Sequence, residues 1–192
     1  MGRPTSICSE MGLAQDIGIE FGPLAQLVEQ RPFKAWVEGS NPSRLTKIQF
    51  IVDYMKRYEI IDHTADIGLK AYGKDLKELF VNVAYGMFDI LADLKNVRLK
   101  ESINIKVKAP NIEELFLSWL SELLYQYNSK RIIFKKFSID KLSQNSTTAK
   151  VKGEKLNLKR HRLKTEIKAV TYHELKVRKV KNIWQGQVIF DV

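Results

Sequence analysis

Apolar and polar positions fall into two rhythms from Tyr58 to the end of the chain. Tyr58 to Ile61 is a short apolar run that predicts a strand, and "IGLKAYG" (67–73) predicts the next, with Ile67, Leu69 and Ala71 on one face. "KDLKELFVNVAYGMFDILADL" (74–94) then changes to a helical period, with Leu76, Leu79, Phe80, Val83, Met87 and Ile90 as its stripe. Asp75 stands at the N-cap with Glu78 three places on, a capping-box spacing, and Gly86 leaves room for close packing. "SINIKVKA" (102–109) alternates strictly, Ile103, Ile105 and Val107 against Asn104, Lys106 and Lys108, and predicts a half-buried strand. "PNIEELFLSWLSELLYQYN" (110–128) predicts a second helix capped by Asn111, with Leu115, Trp119, Leu120, Leu123 and Leu124 facing a sheet.

The remainder reads as strands: Arg131–Asp140, Thr147–Glu154, a bent pair over Thr165–Tyr172 and Glu174–Lys179, and Asn182–Phe190. Two helices among about seven strands, several in hairpin order, predict an α+β fold: a mixed β-sheet with both helices packed on one face. The residues before Met55 behave differently. "GPLAQLVEQRPFKAWVEGSNPSRLTK" (22–47) has no clean period and is divided by three prolines and two glycines.

Charge follows the same division. The 192 residues carry a net +10. Residues 1–54 hold 5 basic and 6 acidic side chains, whereas residues 55–192 hold 27 and 16, a net +11. That excess favours a polyanionic partner, RNA or one acidic protein surface. The single cysteine, Cys8, excludes a disulfide framework and a cysteine-built zinc site. No signal-peptide pattern or membrane-length apolar run is seen, so a soluble cytoplasmic protein without membrane attachment is expected.

Candidate chemistry lies in three places. In Asp62-His63-Thr64-Ala65-Asp66, two carboxylates with an imidazole between them sit in a turn between strands. They suit a hard divalent cation if the backbone curls, or else cap the turn locally. At the end, "GQVIFDV" places Asp191 beside the α-carboxylate of Val192. These two donors beside Asp66 would make an anionic site that needs a cation, the alternative being a frayed polar terminus. "KRHRLKTE" concentrates Lys159, Arg160, His161, Arg162 and Lys164, either a grip for phosphates or an acidic protein face, or a solvated loop. His173 fits a sheet bend better than a catalytic base. No GxSxG, P-loop or GxGxxG motif occurs, which argues against an independent enzyme.

"DHTADIG" (62–68), "ELFLSWLSELL" (114–124), "HRLKTEIKAVTYHELKV" (161–177) and "VIFDV" (188–192), in this order, resemble the archease family over residues 55–192. The resemblance implies a non-enzymatic activator of the RtcB-type RNA ligase. That ligase joins tRNA halves and other RNA ends carrying a 3′-phosphate or 2′,3′-cyclic phosphate. Archease promotes its GTP-dependent histidine guanylylation and multiple turnover in tRNA splicing or RNA repair. The resemblance also implies a divalent metal site at Asp66, Asp191 and Val192. Calcium is the ion associated with the family, with magnesium or manganese as alternatives, and Asp62 and His63 are neighbours of the site. Lys159, Arg160, His161, Arg162 and Lys164 would contact the ligase, or tRNA or other RNA through it. The competing expectation is a basic RNA-binding or chaperone-like module that needs no metal.

Residues 22–47 resemble something else, a tRNA gene read as protein. Ala25–Gln30 can be back-translated as a D-arm and Gly39–Pro42 as a T-arm, at the distance the two keep in a tRNA. Pro32-Phe33-Lys34 can hold an anticodon for lysine or glutamate, and Gly22-Pro23 can pair with Arg44-Leu45 as an acceptor stem ahead of a CCA end. Residues 1–54 are therefore expected to be a spurious extension, with translation starting at Met55. Mass-spectrometric mapping of the native protein should find an N-terminal peptide beginning at Met55, and any peptide from 22–47 would refute this.

Overall fold

The computed structural model describes residues 56–62 and 66–192. The extension expected over 1–54, Met55 and His63 lie outside the described residues. The elements run β1 (Tyr58–Asp62), β2 (Asp66–Gly73), α1 (Leu76–Leu91), β3 (Glu101–Lys108), α2 (Ile112–Lys130), β4 (Ile132–Leu142), β5 (Ser146–Lys155), β6 (Ala169–Val180) and β7 (Ile183–Asp191). This is the α+β class with the two helices and seven strands expected. The strands form two antiparallel sheets, ordered β1-β2-β7-β6 and β3-β5-β4, rather than one mixed sheet. Alternation reveals which face of a strand is buried but not its neighbour. Here β2 pairs with β7 from the far end of the chain, and β3 starts the second sheet.

Both helices begin as their caps dictate. The Glu78 backbone N–H donates to Asp75 Oδ1 at 2.8 Å, and Glu78 Oε2 accepts from the Lys74 N–H at 2.9 Å. The Glu114 N–H donates to Asn111 Oδ1 at 2.9 Å, and the Asn111 amide donates back to Glu114 Oε1 at 2.9 Å. Helix α2 stops at Arg131, which turns left-handed at φ 54° while its N–H bonds the Tyr127 carbonyl at 2.8 Å. Each helix packs against both sheets, α1 chiefly on β2 and β4, α2 chiefly on β6 and β3. The core includes Leu69, Phe80, Phe88, Phe116, Trp119, Phe134 and Phe190, all fully buried. Each such side chain contributes about 1.5–3 kcal/mol by leaving water. The Trp119 indole N–H, which burial would otherwise orphan, donates to the Phe80 carbonyl at 3.0 Å and ties the helices together.

Two glycines set the close approaches. A Cβ on Gly86 would come within 2.9 Å of Leu69 Cδ1, so α1 lies tight on β2. A Cβ on Gly153 would stand 1.9 Å from the Ile133 carbonyl oxygen, part of the β4 backbone.

The segment between β5 and β6 does not begin a strand at Thr165. Its backbone instead serves the last turn of α1, whose final carbonyls have no partner within the helix. Lys164 N–H bonds Leu91 O at 2.9 Å, Thr165 N–H bonds Ile90 O at 3.3 Å, and Asp93 N–H bonds Arg162 O at 2.9 Å. The expected bent pair is one strand, β6, interrupted by an irregularity between Thr171 and Lys176 where Glu174 takes φ 50°. His173 lies exposed in that irregularity.

A buried acid fixes the same segment to β5. Glu154, 3% exposed, accepts from His161 Nε2 at 2.8 Å, from the Arg98 backbone N–H at 3.2 Å and from the Arg160 guanidinium. Burial alone would raise its pKa, but the three donors outweigh burial and hold the carboxyl down at about 2 rather than 4.5. A depressed carboxylate stabilises the fold above its unfolded pKa and loses that contribution as pH falls toward the folded value.

Two predictions follow from this packing. Gly153→Ala should destabilise by about 2–3 kcal/mol, because backbone cannot yield. Gly86→Ala should cost less, since side-chain atoms can shift and alanine gains about 1 kcal/mol in helix propensity. Urea midpoints of the two variants test the contrast, and equal losses would refute it. Glu154→Gln should lower the urea midpoint at pH 7. It should also flatten the acid loss of stability between about pH 4.5 and 2, and an unchanged acid profile would remove Glu154 from this role.

Candidate functional site

Strand β7 is an interior strand of its sheet, and its last residue is Asp191, one of the expected site residues. Asp191 pairs directly with Asp66 of β2 on one side and with Ala169 of β6 on the other. Direct cross-strand partners project to the same face. Alternation gives that face: Leu69 and Ala71 of β2, with Val188 and Phe190 of β7, turn toward the helices. Asp66 and Asp191 therefore share the face turned away from the helices, at the end of the sheet. Both are half-buried, as is Val192.

The two carboxylates are like charges set directly opposite each other, a destabilising arrangement in a bare sheet. Among the described residues, neither has a side-chain hydrogen bond or ion pair. The nearest cation bonded to this edge is Lys168, whose Nζ donates to a Val192 oxygen at 2.8 Å and whose backbone N–H bonds the Asp191 carbonyl at 2.8 Å. The resulting edge offers hard oxygen donors of the kind that suit calcium or magnesium. The described residues contain no group of three His, Cys, Asp or Glu side chains placed to hold a metal ion. Asp62 ends β1 opposite Ile67.

The basic segment divides in two. His161 is buried, with Nε2 toward Glu154 and Nδ1 accepting from the Asn157 N–H at 3.1 Å. Arg160 is paired with Glu154, and Lys164 Nζ donates to Asp89 Oδ1 at 3.0 Å and to the Asp89 carbonyl at 2.8 Å. That last contact sets a cation at the C-terminal turn of α1, where the helix dipole favours it. Lys159 and Arg162 are exposed. The segment thus joins β5 to α1 through three of its five residues and presents the other two to solvent.

Residue spacing did not single out Lys168 or Glu154. Lys168 lies 24 positions from the terminus it bonds. Its signal was chemical: an anionic edge calls for a neighbouring cation, and Lys168 stands inside one of the recognised motifs. None of the helices among the described residues is long and apolar enough to cross a membrane.

A model of the archease protein family matches residues 58–192. The protein archease of Methanosarcina barkeri is 42% identical over 141 residues, covering 71% of this chain and 97% of its own length. That of Pyrococcus abyssi is 37% identical over 142 residues, covering 72% of this chain and all of its own. The solution structure of a Methanobacterium thermoautotrophicum protein superposes with a TM-score of 0.63 at 32% identity, over 72% of this chain and the whole of that one. The match takes in both sheets, both helices and the Asp66–Asp191 edge, and on that ground the chain belongs to the archease family.

Proposed function

We propose that this protein is a metal-binding accessory that activates an RtcB-type RNA ligase, promoting GTP-dependent guanylylation of the ligase histidine and its repeated turnover in tRNA splicing or RNA repair. The observation that carries this reading is the direct pairing of Asp66 with Asp191 next to the terminal carboxylate. Two carboxylates set face to face, with no ion-pair partner among the described residues, are a favourable place for a cation. Family membership supports reading the ligase as the partner, and in this reading catalysis belongs to that partner.

Asp66, Asp191 and the Val192 carboxylate would hold the ion, calcium by family precedent, with magnesium or manganese fitting the same oxygens. A bound divalent cation there would supply positive charge near transferring phosphates, where such charge is most effective. The protein's own contribution is positional. The β2–β7 ladder fixes the spacing of the two aspartates, and Lys168 steadies the terminal carboxylate. Lys159 and Arg162 are the members of the basic segment available to an acidic surface of the ligase or to RNA held by it. The protein is read as acting in the cytoplasm.

The test is a ligation assay at limiting ligase with GTP and titrated divalent metal. Asp66→Ala and Asp191→Ala should each reduce stimulation to the level of ligase alone while the urea midpoint stays near that of the parent chain. Chelation before mixing should do the same. Full stimulation by both variants, or in chelator, would instead favour a metal-independent chaperone-like module.

A further inference from the structure

The outer face of the three-stranded sheet carries a second charged feature. The inner face is given by Ile105, Phe137, Ala149 and Val151, all buried. The cross-strand register then assigns the opposite face. On β3 it holds Ser102, Asn104, Lys106 and Lys108, and on β5 Ser146, Thr148, Lys150 and Lys152. On β4, after allowance for the irregularities at 134–136 and 139–141, it holds Lys136, Ser138 and Lys141. Six lysines therefore share one sheet face with serine, threonine and asparagine; the carboxylate in register with them, Glu154 opposite Ile133, is buried and bonded to Arg160 and His161. Lys152 is half-buried and the other five are exposed. None of the six takes part in an ion pair among the described residues. Lys136 stands directly opposite Lys152, a like-charge pair that costs stability and has no structural use.

We propose that this face binds the sugar–phosphate backbone of a folded RNA. Lysine is a point-charge donor suited to phosphate oxygens, and the interleaved hydroxyl and amide groups add hydrogen bonds to phosphate or 2′-hydroxyl. Positions two apart on a strand lie about 6.6 Å apart, and neighbouring strands about 4.8 Å, so the charges form a grid and not a single line. The face lacks aromatic side chains on its paired positions, which excludes base stacking as the mode and points to backbone recognition without sequence preference. An acidic protein partner fits less well, because protein interfaces centre on apolar anchors and are depleted in lysine. Two positions beyond Lys152, Glu154 accepts from the Arg98 backbone N–H and from the Arg160 guanidinium, and Arg98, Arg160 and Lys95 line a cavity of about 340 Å³. This surface is separate from the Asp66–Asp191 edge and does not rest on the metal-dependent reading.

The experiment measures binding of the full chain to a mixed-sequence RNA stem-loop by fluorescence anisotropy across a salt series. Lys106→Ala/Lys136→Ala/Lys150→Ala should weaken binding at least tenfold at low salt and lower the slope of log affinity against log salt by about two to three. The urea midpoint should be unchanged, and the corresponding triple arginine variant should retain affinity. Asp66→Ala should leave RNA affinity intact, so failure of the metal reading and failure of this one are distinguishable. The proposal is overturned if the triple alanine variant binds RNA with the parent affinity and salt slope. It is equally overturned if that variant loses only its association with the ligase, which would make the face a protein-docking surface.

Discussion

The position of β7 between β2 and β6 is the constraint on which the rest of the structure depends. Its pairing with β2 joins residues 183–191 to residues 66–73, so the four-stranded sheet closes only when the end of the chain has been placed. The apolar pairs Leu69↔Val188 and Ile67↔Phe190 hold the register, with Val188 and Phe190 fully buried. A slip of one residue would turn Val188 and Phe190 away from the helices and carry Asp191 to the other face. The acidic edge is thus placed by hydrophobic burial one residue away. Carboxylates that repel one another are kept opposite because separating them would expose the core.

A second economy lies in the segment between β5 and β6. It looks like a loop of surplus positive charge, yet most of its polar groups settle debts inside the domain. Backbone groups of 162, 164 and 165 pair with the end of α1, and His161 and Arg160 pair with Glu154. A buried carboxylate with three donors is favourable, whereas the same carboxylate with one donor removed is costly. The segment therefore joins α1 to β5, and through α1 it braces the packing against β2.

What was legible in the sequence was local. Asp75 and Asn111 announced the helix starts because a cap and its partner are three residues apart. Ile103, Ile105 and Val107 announced β3 because alternation needs only one strand. The acidic residues Asp66 and Asp191 were legible as residues of short motifs at strand ends, and the structure sets them opposite each other. Partnership was not legible. No periodicity indicates that β2 takes β7 rather than β3, which is why two antiparallel sheets read as one mixed sheet. Nor does a run such as Lys159–Lys164 show which charges turn inward: His161 is buried only because Glu154, seven residues back, lies beneath it. The Lys168 contact with the terminus is of the same kind, a tertiary meeting without a local trace.

The lysines of the outer sheet show the converse. No window of the chain marks them, because Lys106 and Lys108 belong to β3, Lys136 and Lys141 to β4, and Lys150 and Lys152 to β5. Each strand reads as an ordinary half-buried strand with polar residues facing water. Only the register places them on one surface, and only there does the net +11 of residues 55–192 acquire a direction. The two aspartates lie on the other sheet, where the basic residues in register on the same face, Lys70 of β2 and Lys176 and Arg178 of β6, stand further along the strands. On the three-stranded sheet lysines meet directly across neighbouring strands, as Lys136 and Lys152 do, and that repulsion is what an anionic partner would relieve.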